Sequence, residues 1–160
     1  MYILVKNKVN LLCFVVLFVI GFLIYSPYHN SQFFSDDYQF VFTNPNNEVF
    51  SNFYQNNPYN NFYRPIQNSV MAFTQVFLGH NTVPLHLLNF VTHVLLSFLV
   101  FKTMILMGFS KRNSIIGSLV MLISQINAHG VISNDTLSQV GGTYFGCLSI
   151  YFILKILYQQ

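Results

Sequence analysis

Apolar residues in this chain fall into four long blocks divided by polar segments. The first runs from Val9 to Tyr25 (VNLLCFVVLFVIGFLIY). At 1.5 Å per residue it makes roughly 25 Å of helix, close to the minimum for a membrane crossing. Lys6 and Lys8 precede it, as in a signal peptide, but Ser26-Pro27-Tyr28-His29 follows without a small-x-small cleavage pattern. The reading is an uncleaved anchor. The second block spans Leu85 to Met107, opened by Pro84 and closed by Gly108. The third, Ser114 to Ile126, reaches span length when Asn127 to Ile132 extend it. The fourth covers Val140 to Leu157. The expectation is an all-α, multi-pass transmembrane protein of about four spans, over 9–25, 85–107, 114–132 and 140–157, forming a single membrane domain.

Between the first two spans lies a long polar loop, residues 26–83, rich in Asn, Tyr and Phe and interrupted by Pro45, Pro58 and Pro65. Its middle (NPNNEVFSNFYQNNPYNN) reads as turns and irregular structure, with low complexity the competing description. After Arg64-Pro65, Ile66, Val70, Phe73 and Phe77 recur at i, i+4, i+7 and i+11. That spacing predicts a short amphipathic helix ending before Gly79, too short to span and suited to the membrane interface.

Composition agrees: 53% of residues are hydrophobic, 7% are charged and the mean hydropathy is +0.48. A soluble domain carries about 25% charge. The seven basic residues are scattered and form no patch, so nucleic acid is excluded as a partner. Cys13 and Cys147 lie inside apolar blocks with no metal-ligand spacing, so neither a zinc module nor a disulfide framework is expected. Charge also orients the chain. With the N-terminus cytoplasmic, Lys6, Lys8, Lys102, Lys111, Arg112 and Lys155 fall on or near the cytoplasmic side. Arg64 is then external, together with Asp36, Asp37, Glu48 and Asp135. Chemistry that needs a carboxylate belongs on the external face.

Three groups are candidate sites. Asp36-Asp37 is either a base whose partner raises its pKa or an ordinary solvated turn. His86, Asn89 and His93 lie at about 0°, 300° and 340° around a helix, one polar stripe in the external half of the second span. Such a stripe serves interhelical hydrogen bonds or faces a substrate. The two histidines are roughly 10.5 Å apart along the axis, unlike the usual i, i+4 metal pair, and no metal is assigned. Arg64, next to Tyr63, suits a phosphate or pairs with Asp36, Asp37 or Glu48. His129, Asn134 and Asp135 fall in the short loop after the third span and can join the same face.

In order along the chain stand an N-terminal anchor, Phe33-Phe34-Ser35-Asp36-Asp37-Tyr38, Asn44-Pro45, Tyr63-Arg64-Pro65-Ile66, a helix ending at Gly79, and Pro84-Leu85-His86-Leu87-Leu88-Asn89 with His93. This series, over about residues 9–125, resembles the amino-terminal part of GT-C-type membrane glycosyltransferases. The likeness is to the family of transmembrane and tetratricopeptide-repeat O-mannosyltransferases and their bacterial relatives. The resemblance implies a bundle of many transmembrane helices and a sugar donor on a polyprenyl phosphate. It also implies Asp36 or Asp37 as the catalytic carboxylate, Arg64 for the lipid phosphate, and Tyr63, His86, Asn89 and His93 lining the substrate site. No cofactor is implied. The membrane would be a bacterial inner membrane, or the endoplasmic reticulum in a eukaryote. Where relatives carry His-Pro and a Glu after the third span, this sequence has Asn127-Ala128-His129-Gly130. The chain stops after four spans where the family's catalytic modules have about seven or more. The expectation is a truncated or split member, inactive alone, with membrane lipid and other membrane subunits as its partners. The alternative is a small non-enzymatic membrane protein that associates with other helices.

Overall fold

The computed structural model describes residues 2–30, 48–51, 53–54, 63–79, 81–124, 131–133 and 136–158. Among them every regular element is helical: α1 (Tyr2–Tyr25), a 3₁₀ turn (Ser26–Tyr28), α2 (Glu48–Ser51), α3 (Pro65–Leu78), α4 (Val83–Leu106), α5 (Lys111–Ile123) and α6 (Leu137–Tyr158). Among the described residues, three segments are long and apolar enough to cross a membrane: Val9–Tyr28, Val83–Leu106 and Leu137–Tyr158. The protein has an all-α, multi-pass membrane fold.

The helix α4 is the hub and packs against α1, α5 and α6. Half of its span is buried, against 22% for α1 and 6% for α6. Its boundaries follow from local chemistry. Pro84 sits in the first turn, where a missing N–H costs nothing, and Asn81 Oδ1 accepts from the Val83 N–H at 3.1 Å. At the far end Gly108 takes φ 87°, a left-handed conformation that costs glycine little. Two residues later Ser110 starts α5, its hydroxyl accepting from the Asn113 N–H at 3.2 Å.

The core joins Cys13, Leu17 and Tyr25 of α1 to Phe90, Val94 and Phe101 of α4 and Leu122 of α5, with Val131 beyond. Close approach is made possible at Gly21, where a Cβ would meet Phe90 at 3.1 Å, Leu122 at 3.3 Å and Val94 at 3.4 Å. Small residues do the same between α4 and α5: Ser97, Ser114 and Ser118 are all fully buried.

The third expected span differs from the sequence reading of one helix reaching residue 132. Helix α5 has 13 residues, about 20 Å of rise, and ends at Ile123. Ser124 turns extended, at φ −58° and ψ 127°. The chain nevertheless travels the length of α4. Gly117 lies against Met104 near one end, and the Ser133 carbonyl reaches Asn89 near the other. Two long side chains explain why the helix can stop inside the bundle. The Tyr25 hydroxyl donates to the Leu122 carbonyl at 2.7 Å, and His93 Nε2 lies 3.1 Å from the same oxygen. This carbonyl is in the last turn of α5, where no intrahelical donor is left for it. Tyr25 and His93 take over that role.

The amphipathic helix α3 forms as expected, with Gly79 at φ 63° closing it through its N–H to the Gln75 carbonyl at 3.1 Å. Its packing is inverted relative to a water-soluble helix. Gln67, Asn68, Ser69, Met71, Ala72 and Thr74 are buried against the protein, whereas Ile66, Phe73 and Phe77 face outward. The three apolar residues fall within about 40° of one another, and the Phe73 and Phe77 rings sit 4.4 Å apart. An apolar stripe turned away from the protein, beside helices of spanning length, belongs in lipid.

Candidate functional site

A cleft of about 500 Å³ opens between α3, α4 and α6. One wall is the start of α3, with Tyr63, Arg64, Ile66, Gln67 and Val70. A second is the Leu88–Thr92–Leu95 face of α4. The third is α6, with Leu137, Ser138, Gly141, Gly142, Tyr144 and Phe145. The size is that of an ordinary small-ligand site, and the lining is mostly apolar with a few polar residues on each wall.

Each wall has a local cause. The residue before a proline is pushed out of the helical region, and Arg64 accordingly has φ −127° and ψ 65°, leaving it at the N-cap of α3 with Pro65 in the first turn. Tyr63 is fixed by its hydroxyl, which donates to the Phe53 carbonyl at 2.8 Å. A helix start and an adjacent guanidinium bring backbone N–H groups and one positive charge to that wall of the cleft. Across the cleft, a Cβ at Gly141 or Gly142 would meet nothing within 4 Å, so the absence of side chains there leaves volume unfilled. The walls are tied together by the Ser138 N–H, which donates to Gln67 Oε1 at 3.1 Å. Because that oxygen is committed, the other end of the carboxamide, Nε2, is defined as the amino end. Gln67 is 1% exposed, and its Nε2 has no hydrogen-bond partner among the described residues.

The residues singled out from sequence divide between two places. Tyr63 and Arg64 are together at the cleft. His86, Asn89 and His93 are together elsewhere, all buried, on a face of α4 roughly 125° around from Leu88, Thr92 and Leu95. There Asn89 and His93 do structural work. His93 reaches the Leu122 carbonyl, Asn89 Nδ2 donates to the Ser133 carbonyl at 2.9 Å, and the Ser97 hydroxyl donates to the His93 carbonyl at 2.9 Å. The stripe therefore holds the segment after α4 against the hub, and the cleft does not include it. Asp36, Asp37, His129, Asn134 and Asp135 lie outside the described residues.

His29, just past the first span, caps the stripe. Its ring sits 5.6 Å from Phe90 and 5.7 Å from Phe22. Burial, and then the nearby His86, hold its pKa below the usual histidine value. No cluster of three or more metal-ligating side chains occurs among the described residues.

Gln67, Thr92, Ser138 and the Gly141-Gly142 pair were not marked by the sequence reading. Gln67 carries one usable signal: it stands three residues after Arg64, in the first turn of the same helix. Comparison with protein-family models, with curated proteins and with solved structures returns no match to this chain.

Proposed function

We propose that this chain forms the donor-binding part of a membrane glycosyltransferase site that takes a sugar from a polyprenyl-phosphate carrier on the non-cytoplasmic face. The observation that carries this reading is the cleft, mostly apolar along α4 and α6 and bordered by the Arg64 charge at the start of α3. A carrier with a long hydrocarbon chain and a phosphate at one end has the matching distribution of polarity. Its chain lies between α4 and α6, and its phosphate meets Arg64, whose planar guanidinium donates to two oxygens at once. The outward stripe Ile66–Phe73–Phe77 keeps this end of the cleft at membrane level.

In this reading Asp36 or Asp37 supplies the base. The acceptor hydroxyl gives its proton to the carboxylate as its oxygen bonds to the anomeric carbon. The bond from that carbon to the phosphate oxygen breaks, and polyprenyl phosphate leaves with the electron pair. His86, Asn89 and His93 act through the fold, because the cleft excludes them. No nucleic acid takes part.

The test is binding of decaprenyl phosphate to the whole chain in lipid nanodiscs. Gly142→Leu fills the cleft from a position with open space around its Cβ, so the fold should survive and binding should be lost. Binding that persists in Gly142→Leu would refute the reading. A second reading, association with a further membrane helix, draws on α6, whose Gly142 and Gly146 both have open space around their Cβ positions. Disulfide or chemical cross-linking from α6 to another membrane protein at native expression would favour it.

A further inference from the structure

We propose that the Gln67 carboxamide is a specificity-determining contact of the cleft, its Nε2–H donating to a phosphate oxygen of the lipid-linked ligand. This rests on the donor-binding reading above and adds to it a residue that neither the charge pattern nor the motif order marks.

Three observations converge on Gln67. It lines the cleft three residues from Arg64, at the start of α3, so the two side chains border the same space. Its oxygen accepts from the Ser138 N–H, itself part of the opposite wall, which pins the carboxamide and sets which end remains for a ligand. Its amino end is buried without a hydrogen-bond partner among the described residues. A buried amide donor left unmatched is costly, and native structures keep such groups where something else supplies the acceptor. The described lining is mostly apolar, and in this proposal the occupant supplies the acceptor. A phosphate offers it: several oxygens, negative charge, and room to meet Arg64 and Gln67 together. Gln67 also differs in kind from Arg64. A guanidinium attracts an anion from any direction, whereas a pinned carboxamide rewards an oxygen at one place. It therefore sets where the phosphate stops along the cleft.

The experiment uses the full chain in nanodiscs with three probes: decaprenyl phosphate, the matching neutral polyprenol, and inorganic phosphate. Gln67→Met keeps the shape and removes the donor. Gln67→Glu keeps the acceptor for Ser138 and puts a negative oxygen where the donor was. Decaprenyl phosphate affinity should fall between about tenfold and a hundredfold in Gln67→Met and further in Gln67→Glu, as expected for losing a hydrogen bond to a charged group. Polyprenol affinity should change less than threefold. Inorganic phosphate should not compete with the lipid. In the wild-type chain with ¹⁵N-labelled glutamine, the Gln67 side-chain amide resonances should shift on adding decaprenyl phosphate and stay in place with polyprenol. That measurement needs no variant to fold.

Equal losses for both lipids, or an amide signal that decaprenyl phosphate leaves unmoved, would overturn the assignment and make Gln67 a purely structural tie. Competition by inorganic phosphate at matched concentration would identify a soluble anion as the occupant and overturn the lipid assignment. Failure of the wild type to bind, or binding retained in Gly142→Leu, removes the cleft reading itself. Wild-type binding with unaffected Gln67 variants removes the Gln67 contact alone.

Discussion

Removing the two donors to the Leu122 carbonyl, singly and together, tests whether α5 ends where it does because of Tyr25 and His93. Tyr25→Phe deletes a 2.7 Å hydrogen bond, and His93→Leu deletes the 3.1 Å contact from Nε2. In either single variant the carbonyl keeps one donor. The cost should then be that of one interhelical hydrogen bond within a membrane, about 0.6 kcal/mol and at most about 1.7 kcal/mol, plus what packing His93→Leu disturbs. The double variant leaves a last-turn carbonyl buried and unmatched, with a further penalty of about 1–3 kcal/mol. The pair should therefore be worse than the sum of the singles by about 1 kcal/mol or more. Reversible unfolding by titrating dodecyl sulfate into maltoside micelles, followed by far-ultraviolet circular dichroism, reads the four corners of this cycle. Additivity within about 0.5 kcal/mol would refute the reasoning, because independent contacts add to that precision. The carbonyl would then be satisfied in some other way, and the two side chains would be incidental to the helix end.

Four further outcomes are expected. Single cysteines at Asn57 and Ser110, in a chain lacking Cys13 and Cys147, should label from opposite sides of the membrane with an impermeant thiol reagent. Labelling of Ser110→Cys alone in intact cells would reverse the orientation. Gly21→Leu should destabilise the protein strongly, since Phe90, Leu122 and Val94 leave no room for it. Gly146→Ala, with nothing near its Cβ, should be neutral or more stable by up to about 1 kcal/mol, and the same unfolding titration checks both. His29 binds its proton less readily in the folded protein than in the unfolded chain, so acid favours unfolding. Stability should be full above about pH 6.5 and fall as pH drops below it, and His29→Gln should flatten that slope.

The sequence made the long helices legible because their signal is cumulative: length, hydropathy and end residues such as Pro84 and Gly108 all agree. The break in α5 was not legible. Its cause sits at Tyr25 and His93, 97 and 29 residues away from Leu122 in the chain, and no local pattern reports a carbonyl captured from that distance. For α3, periodicity identified the two faces correctly, while the side packed on protein was decided by what α3 lies against. The stripe on α4 showed the opposite difficulty. Polar residues on one face of a span announce a partner, and here the partners are the Leu122 and Ser133 carbonyls. Tyr63 and Arg64 were marked by their charge and neighbours. The opposite wall was not, because Gly141 and Gly142 matter through the space they leave, and empty space has no sequence signature.

The short α5 also bears on how the protein is made. A helix of 13 residues carrying Ser114 and Ser118, with its end open at Leu122, has little reason to enter a bilayer by itself. Hydrocarbon offers its last carbonyls no donor. The donors arrive on α1 and α4, which precede it in the chain and are each long and apolar enough to be inserted unaided. Insertion and assembly are thus not separable stages for this segment: α5 becomes a membrane element by docking. An arrest placed just after α5 emerges from the ribosome should find it integrated when Tyr25 and His93 are present and stranded at the interface when both are replaced. The order of helices along the gene is then also the order in which each supplies what the next one lacks.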